Sequence, residues 1–452
     1  MRSQPTDPPR QPVPVPVSFG DFVRRAHARG SLVVQPRMGF ADPREMREGL
    51  TAVRDSHATA AGTITVDSFT RVRNYHAVKA CLASGRSLNG YPVVTTSPTT
   101  TRRMLAGIQG PDFAVQVRHG SALPYDITAA LLAAGLNATE GGPVSYCLPY
   151  GRIPLDDSID NWSRSCELLA AARGDGQEPH LESFGGCMLG QLCPPELLIA
   201  VTVLEGLFFR EHGLRNISLS YAQQTNRDQD REALHTLTRL AGELLHGLDW
   251  HTVLYTYMGV FPRTPAGASS LLVDSARLAV DGGAARLIVK TTAEAHRIPT
   301  IAENITALEQ AARTAERHDP DPSPPQDTGM YQSARALIEA TLELNPDVGR
   351  ALRLAFSCGC LDVPYCLHAD NRGQARSYID SDGRLAWATV GAMPLPRPHR
   401  PADTPAAKSS DLLTALAYVQ RTYDQPALES QAGHPAPRAE EFSQLPPPES
   451  GT

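Results

Sequence analysis

The chain has 452 residues, 41% of them apolar and 20% charged, with a formal net charge of −6. That length holds one large domain or two to three ordinary ones, and barrels commonly run beyond about 200 residues as a single unit. The charge is modest and the basic pairs Arg24-Arg25 and Arg102-Arg103 stand alone, which argues against a nucleic-acid surface.

Six of the first 18 residues are proline and none of the stretch MRSQPTDPPRQPVPVPVS forms the apolar run of a secretory signal. Residues 1–18 are therefore expected to be disordered. From residue 19 to 316 the pattern alternates. Strands are expected at 31–36, 63–68, 91–96, 113–118, 136–139, 180–184, 215–221, 251–258 and 285–291. Helices are expected between them at 43–54, 73–84, 125–135, 158–173, 195–212, 230–247, 266–279 and 302–316. Repeated strand–helix units give a parallel sheet covered by helices, since right-handed crossovers leave few other packings. Nine candidates for eight positions point to a (β/α)8 TIM-type barrel with one false or accessory strand. A doubly wound sheet is the alternative, but no GxGxxG turn follows the first strand.

The Pro/Asp-rich stretch RHDPDPSPPQDTG separates this body from a smaller unit, giving a linker at 317–330 and a C-terminal α+β extension at 331–395. Beyond 396 the chain is again rich in proline, alanine and serine and is expected to be mostly disordered. One helix is expected near 409–424, with Leu412, Ala415, Leu416, Val419 and Tyr423 on one face. The longest apolar run, LLIAVTVLEGLFF, is too short to span a membrane and carries Glu205, so it reads as a buried helix. Of eight cysteines only Cys358 and Cys360 stand close together, which fits a reducing, cytoplasmic setting better than a zinc or disulfide framework.

In such a barrel the functional site lies where strands finish. The residues expected there are Arg37, Arg71, Arg118 with His119, Glu140, Phe184, Tyr221, Tyr257, Lys290 and Glu294. Three arginines converging on one mouth cannot stay unpaired, because uncompensated buried charge is severely unfavourable. Their planar forks match an anionic ligand with carboxylate groups, each charge-assisted hydrogen bond contributing roughly 1.5–3 kcal/mol. A small dicarboxylate satisfies the set. An acid beside the arginines, Glu140, suggests that the ligand also carries an ammonium.

The motifs QPRMG, TVDSFTRVRNY, GRSLNGYPVV, VQVRHG, EGGPVSYCLPY, LIVKTTAEAHRIPT and LDVPY together resemble the large (epsilon) subunit of glutamate mutase, also called methylaspartate mutase, from about residue 30 to 395. The resemblance implies a barrel that caps a cobalamin carried by a separate small subunit, in a hetero-oligomer, with adenosylcobalamin as cofactor. By position it implies that Arg37, Arg71 and Arg118 hold two substrate carboxylates. His119 and Glu140 would lie near the substrate amino group, with Glu140 as proton acceptor. Tyr146, Tyr150 and Phe184 would line the pocket, while Lys290 and Glu294 would meet the adenosyl group, Glu294 at the ribose hydroxyls. The implied reaction interconverts L-glutamate and (2S,3S)-3-methylaspartate through radicals, the cofactor carrying the hard chemistry and the protein the orientation.

The chain departs from that family where YTYMGVFP stands for HQWMGGFP and SYAQQTN for GYGECGN. These departures leave open a mutase for a related amino dicarboxylate, or a non-catalytic binding paralogue. Cobalamin-binding subunits of the group use D-x-H-x-x-G; here Asp55-x-His57 and Asp249-x-His251 lack the glycine, so the cobalt ligand is expected from another chain. Glu243-x-x-His246 has di-iron spacing but occurs once, and one copy cannot make that site.

Overall fold

The computed structural model describes residues 18–149, 151–174, 177–188, 192–397 and 409–432. Among these, eight strands alternate with helices: β1 Val33–Pro36, β2 Gly62–Thr65, β3 Val115–Arg118, β4 Ala138–Gly141, β5 His180–Ser183, β6 Asn216–Ala222, β7 Asp249–Tyr255 and β8 Arg286–Val289. All are paired in parallel in the order β1-β8-β7-β6-β5-β4-β3-β2. A bridge between Val34 and Ala60 joins β1 to the β2 approach, with Val34 N donating to Thr59 O at 2.9 Å and Ala61 N to Val34 O at 3.0 Å. The sheet thus closes into a (β/α)8 barrel.

The strand expected at 91–96 is the surplus one. Tyr91 makes an isolated bridge to Val66, but Pro92 has no N–H to extend a ladder, and the amides of Thr95 and Thr96 turn back to the Pro92 carbonyl. The residues after it form the helix Pro98–Leu105, capped by Ser97. The other expected helices appear within a few residues of their predicted ends, and the stretch containing Glu205 lies in the buried helix Pro195–Glu211. Among the described residues no helix is long and apolar enough to cross a membrane.

The bottom of the barrel is plugged by the helix Phe19–Ala28. Its Phe19 ring sits 5.0 Å from His180, and the Arg286 guanidinium lies 4.9 Å over the same ring. Gly20 allows this approach, since a Cβ there would fall 1.9 Å from Asn216 Oδ1. The proline-rich stretch before it lies outside the described residues up to position 17, as do 398–408 and 433–452 of the tail.

After the last barrel helix, Ile301–Glu316, come the helices Met330–Leu342 and Val348–Cys358 and the antiparallel pair β9 Arg376–Ile379 and β10 Leu385–Thr389. This extension grips the segment that follows β4. Cys366 Sγ lies 3.3 Å from Leu148 O, His368 Nε2 lies 2.9 Å from Ile153 O, and Leu155 N donates to Asp370 at 2.8 Å.

The expected helix near 409–424 forms as two pieces, Ser409–Leu416 and Tyr418–Ala432. The second packs on the helix Pro265–Asp281, with Val419 against Tyr257, Phe261 and Leu271. Asp424 accepts from Arg263 N (2.8 Å), Thr264 N (2.9 Å) and Thr264 Oγ1 (2.7 Å) at that helix's start. Asp424→Ala strands these donors and is expected to cost about 1–3 kcal/mol. It should also expose 409–432 to protease in native buffer. An unchanged melting curve with unchanged cleavage would contradict this anchoring role.

Candidate functional site

Strand alternation sends every second side chain inward, so a polar residue at such a position must find partners inside the barrel. The chain does this repeatedly. Gln35 of β1, Gln116 of β3, Glu182 of β5, Ser218 of β6 and Arg286 of β8 are all buried. Arg286 pairs with Glu182 with both side chains fully out of solvent, and its other Nη donates to Gln35 Oε1 and, at 3.1 Å, to Gln116 Oε1. Gln116 Nε2 donates to Glu182 at 3.3 Å, and Ser218 Oγ donates to the same carboxylate at 3.3 Å. Burial alone would push the Glu182 carboxyl up, but Arg286 and Arg118 hold it below the usual carboxylate range.

Tyr255, at the end of β7, connects this layer to the mouth. Its hydroxyl contacts Glu182 and, at 2.9 Å, Glu140 Oε2. Having one hydrogen, it serves one carboxylate at a time. Glu140 of β4 also accepts from Arg118 Nε at 2.7 Å and from the Tyr146 hydroxyl. Arg118, at the end of β3, lies 5.0 Å over the Tyr255 ring, and its Nη1 is buried with no partner. Phe184 closes the wall, 4.9 Å from the Tyr146 ring and edge-on to Tyr255 at 5.5 Å.

His119 follows Arg118 and stacks on Trp162 at 5.8 Å. Burial, aided by Arg118, pushes its imidazole down to about 3, so the ring is neutral at ordinary pH. Ser121 N donates to Nδ1 at 2.9 Å, which makes Nδ1 the acceptor and puts the ring hydrogen on Nε2. That Nε2 is buried without a partner.

The outer rim carries a second charged cluster. Arg37 donates to Glu294 at 2.7 Å and Lys290 Nζ lies 3.2 Å from the same oxygen, 5.0 Å over the Phe261 ring. Burial would raise the Glu294 carboxyl, yet Lys290 and Arg37 hold it low. Arg71, after β2, is exposed and leans toward Gly120, the residue next to His119.

The structure thus brings Arg118, His119, Glu140, Tyr146 and Phe184 into one buried cluster, with Arg37, Lys290 and Glu294 paired on the rim and Arg71 near His119. Tyr150 lies outside the described residues. Tyr221 turns away and donates to Asp230 at 2.8 Å, while Tyr257 packs under the C-terminal helix with its hydroxyl unpartnered. Of the D-x-H pairs, His57 is exposed on the surface, and His251 lies near the opening of β7, stacked on His180 at 5.3 Å, at the opposite end from the mouth. Among the described residues no group of three or more His, Cys, Asp or Glu could hold a metal ion. Sequence reasoning missed Glu182, Arg286, Gln35, Gln116 and Tyr255 as site support. Part of the signal was present, as the amides Gln35 and Gln116 within the apolar strands VVQP and VQVR and the charges Glu182 and Arg286 at strand positions.

Residues 13–404 match the family described as Methylaspartate mutase E chain. The chain is 30% identical over 406 residues to the glutamate mutase epsilon subunit of Escherichia coli, covering 86% of this chain and 83% of that one. It is 31% identical over 395 residues to the glutamate mutase epsilon subunit of Desulfitobacterium hafniense, covering 83% and 81%. The protein of the same name from Halobacterium salinarum is 30% identical over 378 residues, covering 81% and 79%.

Lys290 gives this mouth a pH dependence. Burial lowers its ammonium to about 8; Glu294 opposes the shift, and Arg37 and Arg118 add to it. Below about 8 the mouth carries that positive charge, and above it the charge is lost. Binding of an anion such as glutarate is therefore expected to weaken by roughly tenfold between pH 7 and 9, the equivalent of one charge-assisted hydrogen bond. Lys290→Met should flatten that limb in a calorimetric titration. An equally steep limb in the variant would place the titrating group elsewhere.

Proposed function

Because this chain belongs to the methylaspartate mutase E chain family, we propose that it is the catalytic subunit of an adenosylcobalamin-dependent mutase interconverting L-glutamate and (2S,3S)-3-methylaspartate. The observation that carries the proposal is the pairing of Arg118 with Glu140 at the floor of a mouth whose rim sets Arg37, Arg71 and Lys290 around the single paired acid Glu294. An amino dicarboxylate is the counter-charge to that set, with two carboxylates for the arginines and one ammonium for the acid.

The residues then take these roles. Arg118, already holding an unpartnered Nη1, turns its fork to one substrate carboxylate, and Arg37 and Arg71 take the other. Glu140 accepts from the substrate ammonium in place of the Arg118 Nε–H, with Tyr146 and Tyr255 fixing its carboxylate. His119 is a neutral ring with its hydrogen on Nε2, so it donates to a substrate carboxylate oxygen rather than accepting from the ammonium. Phe184 completes the wall that keeps water from the reacting carbon atoms.

For the cofactor, the rim has a suitable donor set. Glu294 is a partly open carboxylate held ionised between two cations, able to accept from the ribose hydroxyls, with Lys290 beside it. Thr256 Oγ1, just past the end of β7, is buried without a partner. When bound, adenosylcobalamin would supply the radical chemistry, for which the protein's residues provide binding and orientation. The relatives are named epsilon subunits, and a small cobalamin-binding subunit with a D-x-H-x-x-G motif is the partner proposed here. Val72 (62% exposed), Val260 (41%) and Ile298 (59%), which follow β2, β7 and β8, offer apolar contacts at the mouth for such a partner. A cytoplasmic location, expected from cysteine usage, is part of the same proposal.

A second reading is favoured by Tyr255, which bridges Glu140 and Glu182 where the family pattern has a histidine. A phenol in that place changes the floor of the pocket, and a related amino dicarboxylate would then be preferred. Combining the chain with a small cobalamin subunit, adenosylcobalamin and L-glutamate should give methylaspartate and a radical signal. Neither product nor signal, with glutamate still bound, would contradict the mutase reading, and faster turnover of another amino dicarboxylate in a panel would select the second. Arg118→Lys keeps charge but loses the fork and should raise KM by about 10–100-fold. Glu294→Gln should lower turnover far more than glutamate affinity; equal losses would argue against an adenosyl contact.

A further inference from the structure

The helix Pro195–Glu211 is buried almost along its length, and Glu205 sits in its apolar interior with no exposed surface. An acid there is unfavourable unless hydrogen bonds replace water. Burial pushes its carboxyl up to about 7 even against the bonds it accepts. Those bonds come from two places only a few residues from the pocket. Val144 N donates at 3.2 Å, Ser145 N at 2.9 Å and Ser145 Oγ at 3.1 Å, while Ser183 Oγ, the last residue of β5, donates at 2.8 Å. Ser183 Oγ is in turn 2.9 Å from Thr202 Oγ1 and accepts from Gly185 N at 3.2 Å. Gly142 closes directly on the carboxylate: a Cβ there would lie 2.0 Å from Glu205 Oε1.

One carboxylate therefore ties the segment leaving β4 to the end of β5. Tyr146 follows the doubly bonded Ser145 and donates to Glu140, and Phe184 follows Ser183. We propose that Glu205 is the positioning residue of the pocket: by fastening 142–145 to the end of β5 it sets where Tyr146 and Phe184 stand, and through Tyr146 where Glu140 meets a ligand amino group. Glu205 does not touch the ligand; it acts through Ser145 and Ser183. The inference rests on the amino dicarboxylate reading above for its functional half alone.

The full-length chain carries the test. Glu205→Leu removes every acceptor at the site, whereas Glu205→Gln keeps a carbonyl for the two backbone amides and an NH2 toward serine hydroxyls that can turn to accept. Hydrogen exchange of peptides spanning 142–149 and calorimetric binding of L-glutamate and glutarate are measured for each. The leucine variant should exchange at least about tenfold faster there and lose at least about tenfold in L-glutamate affinity, with the glutamine variant within about threefold of the parent in both. Glutarate, lacking the amino group, should lose less than L-glutamate. Parent-like exchange and affinity in Glu205→Leu, or a glutamine variant as impaired as the leucine one, would overturn the proposal. Should Glu205→Leu fail to fold, the Ser145→Ala and Ser183→Ala double variant removes side-chain donors while keeping the acid, and must shift both readouts in the same direction or the proposal falls. If the parent binds neither ligand, the amino dicarboxylate reading fails, and exchange at 142–149 still decides whether Glu205 holds the segment.

Discussion

The ion pair of Arg286 with Glu182, sealed inside the barrel, is the constraint on which the rest of the site depends. Taking both charges out of water costs several kcal/mol each, and their attraction offsets this only where further hydrogen bonds complete the set. Gln35, Gln116 and Ser218, contributed by three other strands, supply most of it, and only the buried Arg286 Nε is left without a partner among that guanidinium's nitrogens. Four strands besides that of Arg286 thus meet in one network, and a shift of any of them leaves a buried polar atom unpaired.

From that layer the order passes upward through one phenol. Tyr255 reaches from Glu182 to Glu140, and Glu140 is held in turn by Arg118 and Tyr146. The floor of the mouth is therefore built before any ligand arrives, and its charges are oriented by neighbours rather than by solvent. In the proposed function this matters because the protein's part in radical chemistry is orientation. Around that floor the outer elements act as braces. The extension grips the segment after β4 through His368 and Asp370, and the C-terminal helix holds the start of the helix after β7 through Asp424.

Much of this was legible in the sequence, for definite reasons. The barrel follows from the alternation of short strand patterns with helical ones, most of the helices carrying a buried stripe and Pro195–Glu211 being buried nearly all round. Arg118 and Glu140 could be expected at the mouth because charged residues at the ends of apolar runs are costly and few, but their pairing with each other appears only in the fold. The strand expected at 91–96 failed because alternation says nothing about a missing N–H, and Pro92 stops the ladder. The inner network was overlooked because Gln35, Gln116 and Arg286 each look ordinary alone; only closure of the barrel brings them together. His119 shows a finer limit. Its place in the pocket could be expected, but the ring hydrogen on Nε2 depends on the Ser121 amide, a contact set by the turn after β3. Glu205 was read only as a charge that spoils a membrane span, since its partners Ser145 and Ser183 lie 60 and 22 residues earlier in the chain.

In the proposed function the two signs of charge at the mouth select an acid that also carries an ammonium. The most direct measurement compares L-glutamate with glutarate in calorimetric titrations of the full chain and of Glu140→Gln. The parent is expected to prefer L-glutamate, and the variant to lose this preference while still binding glutarate. Equal affinity of the parent for both acids, or a preference that survives Glu140→Gln, would contradict it.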